Sequence, residues 1–223
     1  MPTTAELGLT RRILYLGGPR SLQGVVRNFS RLMTLWVINL LPNATRAVST
    51  YTVAMQIRMV SSFVGLAFMA AAMSRVGQNL GKGDPRAAAH SGWISATIAA
   101  ALMSLVALLF LFFPRQIMGF FTTDEEVIEL GRVFFVTVAL TEPIMAFAFA
   151  LGGALRGGGD PLSPFLYASI SDLVVVIAAG YLLAVPCRLG FTGIALAIAI
   201  SSLTRAIPTT WAFYRGRWKR NRL

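Results

Sequence analysis

Long apolar runs separated by short polar punctuation dominate this chain. The runs fall at about 22–41, 51–73, 93–113, 127–151, 164–185 and 192–213. Each is long enough to carry a helix across roughly 30 Å of hydrocarbon, which takes about 20 residues at about 1.5 Å per residue. The short alternating segments that a membrane barrel needs are absent from the pattern. The pattern predicts an all-α membrane protein, a bundle of six transmembrane helices. Residues 1–18 read as a separate, mildly amphipathic interfacial segment, because Arg11 and Arg12 precede "ILYLGG", which is too short to cross. The predicted organisation is therefore an interfacial segment at 1–18, a six-helix lobe at 19–214 and a basic tail at 215–223.

Composition agrees with lipid as the solvent. Hydrophobic residues make up 56% of the 223 residues and charged residues only 13%, with a mean hydropathy of +0.67, against about a quarter charged in ordinary soluble domains. The net charge is +11, and its distribution decides what it means. Arg11, Arg12, Arg20, Arg75, Lys82, Arg86, Arg156 and the tail arginines fall on one predicted side of the bundle. The other side holds Arg46, then Arg115 and Arg132 beside the acidic "TDEEVIE", then only Arg188. That asymmetry predicts both termini on the cytoplasmic face of the cell membrane, with the basic surplus meeting anionic lipid headgroups rather than nucleic acid. A single cysteine, Cys187, allows no intrachain disulfide and no cysteine metal cluster.

Two punctuation points nearly repeat each other, "RVGQNLGKGDP" at 75–85 and "RGGGDP" at 156–161. In each, an aspartate (Asp84, Asp160) can cap the first-turn amides of the next helix, and a proline (Pro85, Pro161) suits the first helical position. The glycines before them, Gly81 and Gly83 in one loop and Gly157, Gly158 and Gly159 in the other, let the chain leave the preceding helix through left-handed conformations. Each loop links an inward helix to an outward one, which suggests an internal repeat. "GQNLGKGD" is not a phosphate-binding loop: three residues rather than four precede the Gly-Lys pair, and Gly83 stands where a Ser or Thr should reach Mg²⁺. His90, the only histidine, lies near a helix entry and has no partners for a metal cluster or triad.

Four blocks in order resemble a known family: "YTVAMQIRMVSSFVGLAFMAAAMSRVGQNLGKGDPRAA", "FFTTDEEVI", "GGALRGGGDPLSPF" and "GFTGIALAIAISSLTRA". They are similar to the C-terminal half of multidrug and toxic compound extrusion (MATE) transporters. The resemblance implies a six-helix lobe from a family of two-lobed transporters, not enzymes, that export small amphiphilic organic compounds in exchange for Na⁺ or H⁺ and use no cofactor. A complete member has about twelve spans, so the N-terminal lobe is the implied missing partner. A fragment, a truncated product, and a half-size protein that joins a separate half or a second copy all fit that expectation. Some members carry carboxylates at the positions occupied here by Arg27 and Met145, so that ion site does not carry over. Two other readings stand beside the exporter: a flippase-like protein for lipid-linked precursors, and a truncated membrane interaction protein that transports nothing.

Charge placed mid-span is costly, so ionisable residues there are the first pathway candidates. Glu142 lies midway along the fourth run and precedes Pro143, which should kink the helix and free a backbone carbonyl. A carboxylate beside free carbonyl oxygen suits a proton or a transient Na⁺, the one metal contact expected. Pairing with Arg58 is the alternative. Asp172, mid-way along the fifth run near Ser169 and Ser171, can serve a pathway or neutralise Arg205 or Arg58. Arg58 itself, with Gln56 two residues before it, is a further candidate. Arg27, Asn28 and Arg31 occupy the cytoplasmic half of the first run, where the two arginines share a face and can snorkel or line the mouth. Small residues in "GLAFMAAAMS" and "GIALAIAISS" predict close helix contacts.

Overall fold

The computed structural model describes residues 4–220, and every element in it is helical. In chain order they are α1 (Thr4–Asn39), α2 (Ala44–Gly81), α3 (Pro85–Phe112), α4 (Pro114–Gly119), α5 (Glu125–Ala139), α6 (Glu142–Gly157), α7 (Leu162–Ile170), α8 (Val176–Ala184) and α9 (Gly190–Arg215). A π-helical segment, Ser171–Val175, joins α7 to α8 without a break, and a 3₁₀ turn, Arg217–Arg220, follows α9. All six predicted runs are helical. Among the described residues, four helices are long and apolar enough to cross a membrane: α2, α3, the α7–α8 unit and α9. α5 and α6, bent by 53° where they meet, are together long and apolar enough to make a fifth. Pro143 at the start of α6 accounts for the bend, as a proline without an N–H should.

The predicted first crossing, 22–41, differs from the others. It lies within α1, which runs unbroken from Thr4 through Pro19 to Asn39. This stretch does not meet the apolar criterion, because Gln23, Arg27, Asn28 and Arg31 interrupt it. Its two faces are nonetheless distinct. Leu22, Val25, Phe29, Leu32 and Trp36 form an exposed stripe at helical spacing, while Ser30, Thr34, Val37 and Ile38 are buried against the bundle.

Lipid as solvent turns the usual rule of burial around. In α3 the buried positions include Ala88, Ala96, Ala99 and Ala107, while Ile94, Ile98, Leu102, Leu105 and Leu109 point outward. Without a hydrophobic force between helices in lipid, close approach decides association, and small side chains permit it. The tightest contact joins α2 and α6. A Cβ on Gly153 would stand 2.1 Å from the Met69 carbonyl oxygen, and one on Gly157 would stand 2.2 Å from that of Met73. Gly157 was expected to be a left-handed exit residue. It is instead a helical residue whose missing side chain lets two backbones touch.

Both Gly-Asp-Pro loops close in the same way. The amides of Asp84 and Asp160 donate to the carbonyls of Asn79 and Leu155, and those of Gly83 and Gly159 donate to Leu80 and Arg156. This pair of bonds defines a Schellman ending. Only Gly83 (φ 75°) and Gly159 (φ 77°) are left-handed among the five glycines expected to be so. Asp84 Oδ1 accepts from the amides of Arg86 and Ala87, and Asp160 Oδ1 accepts from that of Ser163. The second helix starts at Leu162, one residue later than expected, so Pro161 occupies the cap position with helical angles rather than the first turn.

Candidate functional site: a polar layer between two apolar cores

The apolar interior divides into two clusters. One gathers around Phe110, Phe134, Phe135 and Phe191, and the other around Met103, Leu151, Leu155 and Phe213. Between them lie the buried polar side chains Ser30, Thr34, Arg58, Glu142, Ser171 and Arg205. Each is hydrogen-bonded, as burial in apolar surroundings demands. Ser30 Oγ donates to the Asp172 carbonyl, Thr34 Oγ1 donates to the Ser30 carbonyl at 2.8 Å, and Ser171 Oγ donates to the Ser201 carbonyl. The π segment contributes to this layer. Its wider turn disturbs the regular ladder and offers backbone oxygen to neighbours, here to α1.

Two ion pairs occupy the layer. Arg58 Nε donates to Glu142 Oε1 at 2.6 Å, joining α2 to the first turn of α6. Arg205 of α9 donates through Nη2 to Asp172 Oδ1 in the π segment. Of the pairings open to Asp172, the structure makes the one with Arg205, and Arg58 goes to Glu142. Gln56 is exposed and stands apart from the Arg58 pair. Asn28 and Arg31 are likewise exposed on α1.

A cavity of about 230 Å³ opens beside the second pair. Its polar lining comes from Gln23 and Arg27 of α1, Arg156 of α6, Asp172, and Arg205 and Thr209 of α9. Leu66, Met69, Phe149 and Pro164 supply apolar wall. Arg156 reaches in from the last turn of α6 and donates to Gln23 Oε1 at 3.0 Å. The sequence places Arg156 near the C-terminal end of that helix, where positive charge is favoured, but gives it no part in a pathway. Its place one turn before the Gly-Asp-Pro loop was the available signal that it can point back along the helix.

At the opposite end of the bundle, the acidic run is neutralised. Arg46 pairs with Asp124 and Glu126, Arg115 with Glu125 and Glu129, and Arg132 with Glu129. These are exposed pairs, which contribute little to stability. Among the described residues, no three His, Cys, Asp or Glu side chains converge as metal ligands. His90 and Cys187 are exposed.

The sequence model of the MatE family matches residues 19–182, most of the chain. The chain belongs to the MatE family. A probable multidrug resistance protein NorM from Brucella suis biovar 1 (strain 1330) is 31% identical over 180 residues, 78% of this chain and 37% of that protein. The multidrug resistance protein NorM of Burkholderia vietnamiensis is 26% identical over 214 residues, 94% of this chain and 46% of that protein. This MatE chain thus spans less than half the length of these relatives. The same proportion holds in three dimensions. An outward-facing multidrug resistance MATE family transporter of the MOP superfamily superposes with a TM-score of 0.89 at 19% identity, covering all of this chain and 49% of that one. The eukaryotic MATE transporter AtDTX14 gives 0.86 at 20% identity, covering 99% and 49%. The all-α membrane fold expected from the sequence is that of one half of these MATE transporter structures.

Proposed function

We propose that this chain is the C-terminal lobe of an ion-coupled exporter, moving small amphiphilic organic compounds across the cytoplasmic membrane against Na⁺ or H⁺. The observation that carries the reading is the coincidence of the entire chain with one half of a solved transporter. A lobe of this kind supplies one wall of a central pathway, and rocking against a second wall gives alternating access. In this reading α1 is the sixth crossing, with its apolar stripe toward lipid and its buried serine and threonine toward the bundle. Asp172, which borders the cavity, is the carboxylate offered to a proton, while Glu142 stays with Arg58. The basic segments at 1–18 and 215–223 lie at the cytoplasmic face, supported by the one-sided distribution of Lys and Arg.

Expression in an efflux-deficient bacterium tests the proposal. The chain is produced alone and together with the N-terminal six helices of a full-length relative, and extrusion of a panel of cationic and anionic amphiphilic dyes is followed. Extrusion that requires both lobes and collapses with the ion gradient is the expected result. Equal extrusion by the chain alone would replace the missing lobe with a second copy. No extrusion from a correctly inserted two-lobe assembly would overturn the exporter reading.

A further inference from the structure

The lining of the cavity beside Asp172 is rich in arginine. Three arginines line it, Arg27, Arg156 and Arg205, against one carboxylate. That carboxylate is already engaged by Arg205 Nη2. Arg205 is nine-tenths buried, its Nε is closed off with no hydrogen-bond partner and its guanidinium lies over the Phe149 ring at 5.9 Å, so its Nη donors are the ones that can face the cavity. An arginine left under-satisfied inside a bundle is costly, and intramembrane charge by default marks a site. Guanidinium groups match carboxylate and phosphate geometry through paired N–H donors. Gln23 and Thr209 add neutral polar groups to the same lining.

Size and shape narrow the ligand. About 230 Å³ is smaller than the cavities that enclose a drug-sized molecule, but it accommodates a compact polar head. The apolar lining from Leu66, Met69, Phe149 and Pro164 suits the start of a hydrocarbon tail. We propose that this cavity is an anion site for the phosphate or carboxylate head of an amphiphile. Arg27, Arg156 and Arg205 bind the head, and Asp172 is the internal anion that holds Arg205 while the cavity is empty. The inference narrows the substrate class of the pathway proposed above and rests on that reading only for export. Binding is a property of this chain by itself.

Competition between Asp172 and the ligand gives the test its sign. The full chain, purified in a neutral detergent, is titrated with dihexanoylphosphatidic acid, with inorganic phosphate and with dodecyltrimethylammonium, and bound ligand is read by native mass spectrometry. The expected result is binding of the phosphatidic acid, weakened about tenfold or more by Arg27→Gln and tightened severalfold by Asp172→Asn. Arg27 is exposed, so its variant should fold, and it carries the test even if Asp172→Asn does not. Displacement of the phosphatidic acid by millimolar phosphate identifies a free anion as a sufficient ligand. Failure of phosphate to compete identifies the lipid headgroup, and either outcome supports the site. Preference for dodecyltrimethylammonium, with loss in Asp172→Asn, would make this a cation site and overturn the inference. So would folded protein that binds neither anion. Either failure leaves the two-lobe extrusion test untouched, whereas intact anion binding without extrusion would count against the exporter alone.

Discussion

Arg58–Glu142 and Arg205–Asp172 are two arginine–carboxylate pairs in one polar layer, yet only one of them can change partners. The Glu142 side chain is 2% exposed, whereas that of Asp172 is 17% exposed and lines a cavity. The first pair bridges α2 to the broken span where that span resumes, sealed between two apolar clusters. The second pair hangs from a π segment at the edge of open space. A sealed pair must stay together, because separating its charges in low dielectric leaves one of them stranded. A pair beside a cavity can let water or a ligand substitute for either member. The comparison teaches that chemical type and mid-span position, which the two acids share, do not determine their roles. Access does.

Breaking the sealed pair should have the largest effect. Glu142→Ala leaves Arg58 buried and uncompensated, a loss of about 3–5 kcal/mol by analogy with other buried pairs. It should appear as little folded protein in the membrane, or as a large fall in Tm in detergent. A near-normal Tm would show that water reaches Arg58 and that the two pairs do not differ. Replacing both partners together, Arg58→Met with Glu142→Leu, should recover most of that stability, because an apolar pair of similar volume needs no compensation. If the double variant melts as low as the single one, the loss lies in packing at the break rather than in charge.

Asp172→Asn should cost less, about 1–2 kcal/mol, since the cavity can solvate the Arg205 guanidinium and the amide oxygen still accepts a hydrogen bond. Thermal melting in detergent checks this, and a cost equal to that of Glu142→Ala would erase the distinction drawn here. The smallest effect belongs to Gln56→Ala, within about 0.5 kcal/mol, because the side chain is exposed and away from both pairs. A larger change in Tm would mean that Gln56 contacts the polar layer in a way the helix phase does not show.

Much of this was legible from residue order. Apolar runs located the long helices but not the short α4, Pro143 announced the break, and the repeated Gly-Asp-Pro loops announced two helix starts, the second one residue early. The pairs themselves were among the partners that mid-span charges could take. What stayed hidden depended on three-dimensional phase. Gly153 and Gly157 stand four apart on one helix face, but they sit in "GGALRGGG", where turn glycines and packing glycines look alike. The π segment has no proline or glycine to mark it, since "SDLVV" reads as ordinary helix. Trp218 looked like part of a basic interfacial tail. It is buried instead, stacked on Phe213 with centroids 4.8 Å apart and donating its indole N–H to the Phe213 carbonyl at 2.9 Å. The left-handed Gly216 turns the chain back to make that contact.

The π segment also fixes how α7 and α8 are clocked relative to each other. One surplus residue in a single turn offsets everything before it from everything after it by about 100°, the angular step of one helical position. Deleting any one of Ser171–Val175 would let the rod wind uniformly. The α7 end would then swivel against α8 by that step, carrying Pro164 and Ala168 away from the wall they share with Arg27. A local winding fault, five residues long, is thus what keeps two halves of one rod aimed at different neighbours.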